Sequence, residues 1–460
     1  MYTIDFQKPI HVHFIGIGGI SMSGLAEILL KENFTVSGSD NKRSDLTDRL
    51  SADGAAVTIG QSAANITEAI DLVVYTAAIH PDNPEWKAAQ EAGIPMLSRA
   101  EFLGQLMENY SSSIAVAGTH GKTTTTSMIA CILLAAETDP TISVGGELAA
   151  IGGNIRVGGS GLFLTEACEY TNSFLHFHPD YSIILNIEED HMDFFHDLQE
   201  IRTSFHKFAQ NTAPDGLLIL NSAIEKPEEI IGSRTQHVVT FGLAGTEDYT
   251  AREITFDHFG HPSFTLIRKG TPAAHVSLKV PGLHNVTNAL AAAAYTLEAG
   301  FGIQALTAGL ESFTGTHRRF EYKGSLGGVT IIDDYAHHPT EISATLAAAA
   351  QYPHNRIICA FQPHTYTRTK AFWNEFAEAL SAADLVVLAD VYAARETDTL
   401  GISCAKLAQE IQAKGTPCRY FPTFDGIETW LIETCEKGDV VITMGAGDIW
   451  KVGDHLLGKE

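Results

Sequence analysis

Residues 113–126 read SIAVAGTHGKTTTT, and the reading of this stretch decides the architecture. An apolar, β-prone run ends at Ala117. Gly118 and Gly121 bracket a short turn, and Lys122 opens KTTTTSMIACILLAA, a segment of helical character. In a strand–glycine turn–lysine–helix arrangement, backbone N–H groups at the helix start cradle phosphate oxygens. The lysine reaches the terminal phosphates and a hydroxyl such as that of Thr123 can ligate Mg²⁺. The full loop spacing would place glycine at 116, where Val116 stands, so this is a shortened variant. A purely structural turn is the bland alternative, but GKT between a strand and a helix has few such uses. Gly118, Thr119, His120, Gly121, Lys122, Thr123 and Thr124 are therefore the candidate ATP contacts.

Two further openings of the same kind flank this one. VHFIGIGG (12–19) runs into SMSGLAEILLKEN, and VTIIDDYAHHPTE begins another α/β region near 329 that continues through RIICAFQPH, DLVVLADVY and DVVITMGAG. Short apolar runs alternating with helical segments predict parallel sheets covered on both faces. At roughly 100 to 200 residues per domain, the 460 residues imply about three domains. The seams fall near 109–112 and 314–319, which gives units 1–110, 111–317 and 318–460. Seven glycines between 145 and 161 predict a mobile loop inside the second unit. Short strands between 230 and 280 suggest a small secondary sheet.

The first glycine loop is ambiguous. Gly16, Gly18 and Gly19 suit a backbone approach to a pyrophosphate, but Ser21 replaces the third glycine of a dinucleotide fingerprint. Asp40, 24 residues after Gly16, ends the next predicted strand, where a ribose-hydroxyl acceptor would sit. A tight turn, an NAD site and another nucleotide-diphosphate site all remain open on these residues alone. Glu166 ends the run GLFLTE, and His191 lies in EEDHMD after YSIILNIEED. Singly, each reads as a satisfied structural residue. Together, at strand ends downstream of a phosphate loop, they read as metal-site residues.

Composition narrows the function classes. With 45% hydrophobic and 18% charged residues, the chain is that of a globular protein, and its net charge of −25 argues against nucleic acid or anionic membranes as partners. The six cysteines form no CxxC pair, which argues against a disulfide framework or a structural zinc site. No apolar run approaches about 18 residues and the N-terminus does not read as a signal peptide, so a cytoplasmic protein without membrane insertion is expected.

The motifs IGIGGISMSG, AGTHGKTTTT, TEACEYTNSFLHF, NIEEDHMD, HNVTNALAA, GTHRRFE, DDYAHHPTE, QPHTYTR and MGAGDIW, in this order from about 10 to 450, resemble those of the Mur ligases. Within that family they resemble most the members that join L-alanine to UDP-N-acetylmuramate. The resemblance implies an α/β chain of three domains: a Rossmann-like N-terminal domain, a central P-loop ATPase-like domain with a parallel sheet, and a Rossmann-like C-terminal domain that closes over the site. It implies ATP and Mg²⁺ (or Mn²⁺ in its place) as cofactors, UDP-N-acetylmuramate and L-alanine as substrates, and a monomer or weak homodimer. Lys122, Glu166 and His191 take catalytic roles, with Thr123, Glu166 and His191 at the metal. Asn285, Asn288, Arg319 and Asp334 join the ATP site. Gly16, Gly18, Gly19, Ser21, Asp40 and Arg99 hold the UDP-sugar, which resolves the first loop in favour of a UDP diphosphate. His337, His338, His364, Tyr366 and Arg368 lie in the loops that surround the amino acid.

Two departures stand out. Cys168 occupies a position where relatives usually carry Asp, and Lys207 is not at the offset of the carbamylated lysine that some Mur ligases use. The implied chemistry is phosphorylation of a carboxylate by ATP to an acyl phosphate, then attack by an amine. The sequence offers many histidines but no unambiguous base for that amine.

Overall fold

The computed structural model describes residues 3–159, 161–233, 237–394, 396–398 and 400–459. Three sheets succeed one another along the chain. The first comprises β1 (His11–Ile15), β2 (Thr35–Asp40), β3 (Ala56–Ile59), β4 (Leu72–Tyr75) and β5 (Met96–Ser98) in the order β3-β2-β1-β4-β5, with every pair parallel. Val12, Phe14, Leu72 and Val74 bury one face, and Ile15 and Val73 the other. Burial on both faces explains why β1 and β4 read as continuous apolar runs rather than alternating ones.

The central sheet has ten strands: β6 (Ser112–Ala117), β7 (Thr141–Leu148), β8 (Gly153–Arg156), β9 (Leu162–Ala167), β10 (Tyr181–Ile184), β11 (Leu217–Asn221), β12 (Val238–Phe241), β13 (Tyr249–Phe256), β14 (Pro262–Arg268) and β15 (Thr271–Ser277). Their order is β15-β14-β13-β12-β11-β10-β6-β9-β7-β8. It is mixed, not parallel throughout as expected. The strands from β12 to β7 are parallel, but β13, β14 and β15 pair antiparallel at one edge, as do β7 and β8 at the other. Residues 249–277 thus extend the main sheet instead of forming a secondary one. Short connections such as that between β14 and β15 join neighbouring strands directly, and such connections permit only antiparallel pairing.

The glycine-rich stretch is likewise corrected. Apart from Ser160, which lies outside the described residues, 145–161 holds the end of β7, a 3-10 turn over 149–151 and all of β8, so its first part is a paired hairpin and not an open loop. Its glycines serve close approach. A Cβ at Gly145 would lie 2.8 Å from Glu166 Oε2, and one at Gly146 2.9 Å from Thr316 Cγ2.

The third sheet comprises β16 (Glu321–Leu326), β17 (Val329–Asp334), β18 (Ile357–Phe361), β19 (Leu385–Leu388), β20 (Cys418–Tyr420) and β21 (Val440–Met444), ordered β16-β17-β21-β18-β19-β20. Only β16 runs antiparallel. Apolar clusters cover both of its faces, one with Phe361, Phe376 and Leu388, the other with Ile358, Val387 and Val441.

The sheets are locked together by close contacts. Gly104, in the helix Arg99–Met107, lies so near the next unit that a Cβ would sit 2.1 Å from the His176 carbonyl oxygen. Lys31 donates to the carbonyls of Val157 and Gly158. On the other side, Arg368 binds Asp190 and His338 binds the Glu189 carbonyl. The carboxyl ends of the parallel strands therefore face one common space, where ligands of open α/β sheets bind.

Candidate active site

The phosphate loop leaves β6 after Ala117 and enters the helix Lys122–Ala135. Gly118 and Gly121 have φ of 146° and 82°, a region that side chains rarely adopt. At Gly121 a Cβ would also lie 2.7 Å from Asn288 Oδ1, so glycine lets this asparagine reach the loop. Lys122 is folded back: its Nζ donates to the carbonyl of Thr119 (3.1 Å), to that of Gly118, and to Glu169 Oε2 (3.0 Å). Burial opposes its charge, but Glu169 and, beyond it, Glu166 more than offset that, and the ammonium is held protonated.

Glu166 stands at the end of β9, directly across from Val116 of β6. Its carboxylate accepts from Thr123 Oγ1 (3.2 Å) and from the Gly145 N–H. Burial raises its pKa against the pull of Gly145, Lys122 and Thr123, and a divalent cation held beside it would favour the ionised form further. His191, in the left-handed region at φ 54°, has its Nε2 3.8 Å from Asp190 Oδ2 and 3.9 Å from Glu169 Oε1. Thr123, Glu166 and His191 line one cavity of about 780 Å³ with Lys122, Cys168 and His337. A hydroxyl, a desolvated carboxylate and an imidazole on one wall fit a divalent cation beside a triphosphate. The Cys168 thiol is pushed up to about 11 by burial and by Glu169, so it is neutral and adds no charge to that site.

A second cavity of about 240 Å³ opens beside the loop, lined by Thr124, His284, Asn285, Asn288, Arg319 and Asp334. Asn285 Nδ2 donates to the Pro281 carbonyl (2.8 Å), and Asn288 Nδ2 to Asn285 Oδ1 (3.1 Å). Asp334 ends β17 and accepts from the N–H groups of Phe320 and Ala336; burial pushes it up to about 6 although Arg319 pulls the other way.

At the first glycine loop, the Asp40 carboxylate accepts from the Gly18 N–H (3.0 Å) through Oδ2 and from the Lys42 N–H (3.2 Å) through Oδ1, which clamps the loop. Arg99 Nη1 donates to Ser21 Oγ (3.0 Å), so these two expected residues meet at the helix start. The same helix, Ile20–Lys31, turns Ile20, Ser23 and Gly24 toward the large cavity.

The five residues expected around the amino acid separate. His364 and Arg368 line a cavity of about 320 Å³ with Asp190 and His191, and His337 lines the large cavity next to it. His338 instead caps the helix Pro339–Ala349: its Nδ1 accepts from the Thr340 N–H and its Nε2 donates to the Glu189 carbonyl. Tyr366 lines none of these cavities; only its backbone N–H is engaged nearby, on Glu396. Lys207 is exposed on the helix Leu198–Gln210 and also lines none of them.

Four carboxylates that sequence reasoning passed over, Glu169, Glu188, Asp190 and Glu341, complete the site. Glu169 holds Lys122, and Asp190 takes Arg368 through Nε (2.9 Å) and Nη2 (2.7 Å). His120 sits between Glu341 (3.2 Å) and Glu188 (3.5 Å), and despite burial these carboxylates push it up to about 9. Thr340 also donates to Glu188 (2.6 Å), so the cluster ties the central and third sheets together. His120, Glu188 and His338 lie close enough to resemble a metal site, but His338 has spent both ring nitrogens. Their signal in the sequence was acidic density in TEACEY, EEDHMD and HHPTE, which does not say which carboxylate meets which base.

The chain matches the Mur ligase family catalytic domain over residues 11–111, the Mur ligase middle domain over 116–296 and the Mur ligase glutamate ligase domain over 318–447. It is 60% identical over 459 residues to a UDP-N-acetylmuramate–L-alanine ligase of Agathobacter rectalis, with 100% of both chains covered. It is 59% identical to the protein of that name from Lachnospira eligens, covering 99% of this chain and 100% of the relative. Among solved structures, the UDP-N-acetylmuramate–alanine ligase of Thermotoga maritima superposes with a TM-score of 0.80 at 30% identity, over 98% of each chain. A murein peptide ligase of Psychrobacter arcticus gives 0.69 at 26% identity, over 98% of each chain. Three matched domains in order and full-length identity to these relatives place the chain in the Mur ligase family.

Proposed function

We propose that this chain is the ATP-dependent ligase that joins L-alanine to the carboxylate of UDP-N-acetylmuramate, releasing ADP and phosphate in the synthesis of peptidoglycan precursors. The observation that carries the reading is the shared cavity of about 780 Å³, into which all three sheets deliver chemistry. The helix of the first glycine loop contributes Ser23 and Gly24, the phosphate loop Lys122 and Thr123, and the third unit His337 and Glu341. Full-length identity to ligases of that name supports the choice of substrates.

A carboxylate has no leaving group, so ATP supplies one by forming an acyl phosphate, which the amine displaces. The protein's task is to hold two anions in line. Lys122 leaves the Gly118 and Thr119 carbonyls for the phosphates. Thr123, Glu166 and His191 would hold Mg²⁺, whose charge offsets anion repulsion. Asn285, Asn288, Arg319 and Asp334 seat the nucleotide, while Gly16, Gly18, Gly19, Ser21 and Arg99 hold the UDP diphosphate, with Asp40 bracing the loop. The functional units are taken as 1–110, 111–317 and 318–460, and the reaction is placed in the cytoplasm, where both nucleotide substrates are made. No helix among the described residues is long and apolar enough to cross a membrane.

The test is phosphate release from ATP and Mg²⁺ with UDP-N-acetylmuramate as each amino acid is supplied in turn. Release with L-alanine, together with the mass of the amide product, is expected. Turnover only with a tripeptide acceptor would reassign the chain to a sibling activity, and no turnover would refute the reading.

A further inference from the structure

The amine of an amino acid is an ammonium at neutral pH and attacks only after losing a proton, so the ligase reaction needs an acceptor inside the closed site. We propose, on the ligase reading above, that His337 is that acceptor and takes the proton at Nε2. The assignment comes from hydrogen-bond partners, because a donor-only or acceptor-only neighbour fixes which imidazole nitrogen carries hydrogen.

The other histidines that line the large cavity and the one shared by His364 and Arg368 are committed, as is His338 next to His337 in the chain. His364 Nδ1 accepts from Arg368 Nη1 (3.1 Å), and arginine can only donate, so the proton of neutral His364 is on Nε2 and that atom has no lone pair to offer. His338 spends Nε2 on the Glu189 carbonyl and Nδ1 on the Thr340 N–H. His120, between two carboxylates, is already an imidazolium. His191 is reserved for the cation, and His317 sits at the rim with its side chain 42% exposed, where it cannot keep the proton from water.

His337 shows the opposite pattern. Its Nδ1 lies 3.0 Å from the Tyr335 carbonyl, an acceptor only, so Nδ1 carries the hydrogen and the lone pair is on Nε2. No other described residue bonds Nε2, and the residue lines the large cavity with Lys122, Glu166, Asp190 and His191. Glu341 Oε2 stands 3.4 Å from Nδ1 and also accepts from the His337 N–H (3.0 Å), orienting the ring and favouring the imidazolium once formed. Glu341 is itself kept ionised, despite burial, by the His337 N–H it accepts from and by the charges of His120 and Arg319. The groups facing the ring from neighbouring elements are Arg368, which opposes the positive charge, Asp190, which favours it, and His364, whose ring centre is 5.9 Å away. Burial pushes the imidazole down to about 4, so it is neutral and able to accept. The anions of ATP and acyl phosphate in the same cavity raise its proton affinity when they bind. In the step, the ammonium first gives one proton to Nε2, and the freed amine nitrogen then bonds to the acyl carbon. The carbon–oxygen bond to phosphate breaks, its electron pair leaving on the phosphate, which takes the second N–H proton as it departs, and His337 releases its own proton to water when the products leave.

His337→Asn keeps a donor toward the Tyr335 carbonyl but has no basic nitrogen at the Nε2 position. His337→Gln places an amide there instead. Both are compared with the parent enzyme using L-alanine and, separately, hydroxylamine, which is largely unprotonated at neutral pH and traps acyl phosphate as a hydroxamate. The expected result is a fall in kcat with L-alanine of about 10² to 10⁴ that shrinks as pH rises toward the free amine. Hydroxamate formation should stay within about threefold of the parent in at least one variant. Unchanged turnover with L-alanine overturns the proposal, and so does an equal loss of hydroxamate and amide in both variants. Absence of amide formation by the parent enzyme overturns the ligase reading as well, and shows in a sample that carries no substitution.

Discussion

Replacing Lys122 by Met should unsettle the fold as well as stop the reaction. Lys122 and Glu169 form an ion pair at 3.0 Å, with Glu169 only 3% exposed. The lysine is the only cation among the described residues in hydrogen-bonding reach of that carboxylate. Removing it leaves a buried charge without its partner, a change that typically costs about 3–5 kcal/mol. With a urea dependence of about 3 kcal/mol per M, the unfolding midpoint should fall by roughly 1 to 1.7 M. Replacing both members, as K122M/E169L, removes the stranded charge and should recover most of that loss, since neutral, well-packed pairs often match a buried ion pair. Activity should separate from stability: phosphate release should drop by at least about 10²-fold in both variants, because the charge facing the phosphates is gone in each. Urea unfolding of the parent, single and double variants, with phosphate release on the same samples, makes the comparison. A single variant within about 0.2 M of the parent, or a double variant no more stable than the single, would refute the reasoning.

Other perturbations follow from the same contacts. His120 is held near 9, above its ordinary 6.5, by Glu188 and Glu341, so the stability it contributes is complete below pH 6.5 and is lost as pH rises through about 9. Scanning fluorimetry should show the parent's melting temperature falling more steeply from neutral to alkaline pH than that of His120→Gln; equal slopes would count against the pairing. Gly309→Ala would ordinarily gain about 1 kcal/mol of helix propensity, yet a Cβ there would lie 2.4 Å from Ile132 Cα in the phosphate-loop helix. Overpacking against backbone should win by about 1–3 kcal/mol, read as a lower urea midpoint. Cys168→Asp adds a carboxylate beside Glu166 and Glu169. The variant should melt lower than the parent in EDTA and gain more than the parent from added Mg²⁺, and an equal gain would show that position 168 does not face the cation.

Much of the site was legible because it depends on local pattern. A phosphate loop is a property of consecutive backbone, so Gly118, Gly121, Lys122 and Thr123 could be read directly, as could Glu166 at the end of its strand. The errors came where remote packing decides. Seven glycines between 145 and 161 look like slack chain, but Gly145 and Gly146 are small so that β7 can pass against Glu166, Thr123 and Thr316. His337 and His338 are neighbours in sequence, yet one faces the cavity and the other caps a helix, because successive side chains of extended backbone point to opposite sides and the helix starts directly after His338. Asp40 sits where a ribose acceptor was expected, and its tie to the Gly18 N–H across 22 residues was not legible at the strand end.

From the chain alone came three α/β units, a nucleotide phosphate site and the family resemblance, all of which rest on short-range periodicity and turn chemistry. The tertiary structure alone decided the pairings: Glu169 with Lys122, Asp190 with Arg368, His120 with Glu188 and Glu341, and the tautomer of His337. Charge interactions and proton positions depend on distances of a few ångströms between residues up to 221 apart in sequence, as for His120 and Glu341, and no local pattern encodes those distances.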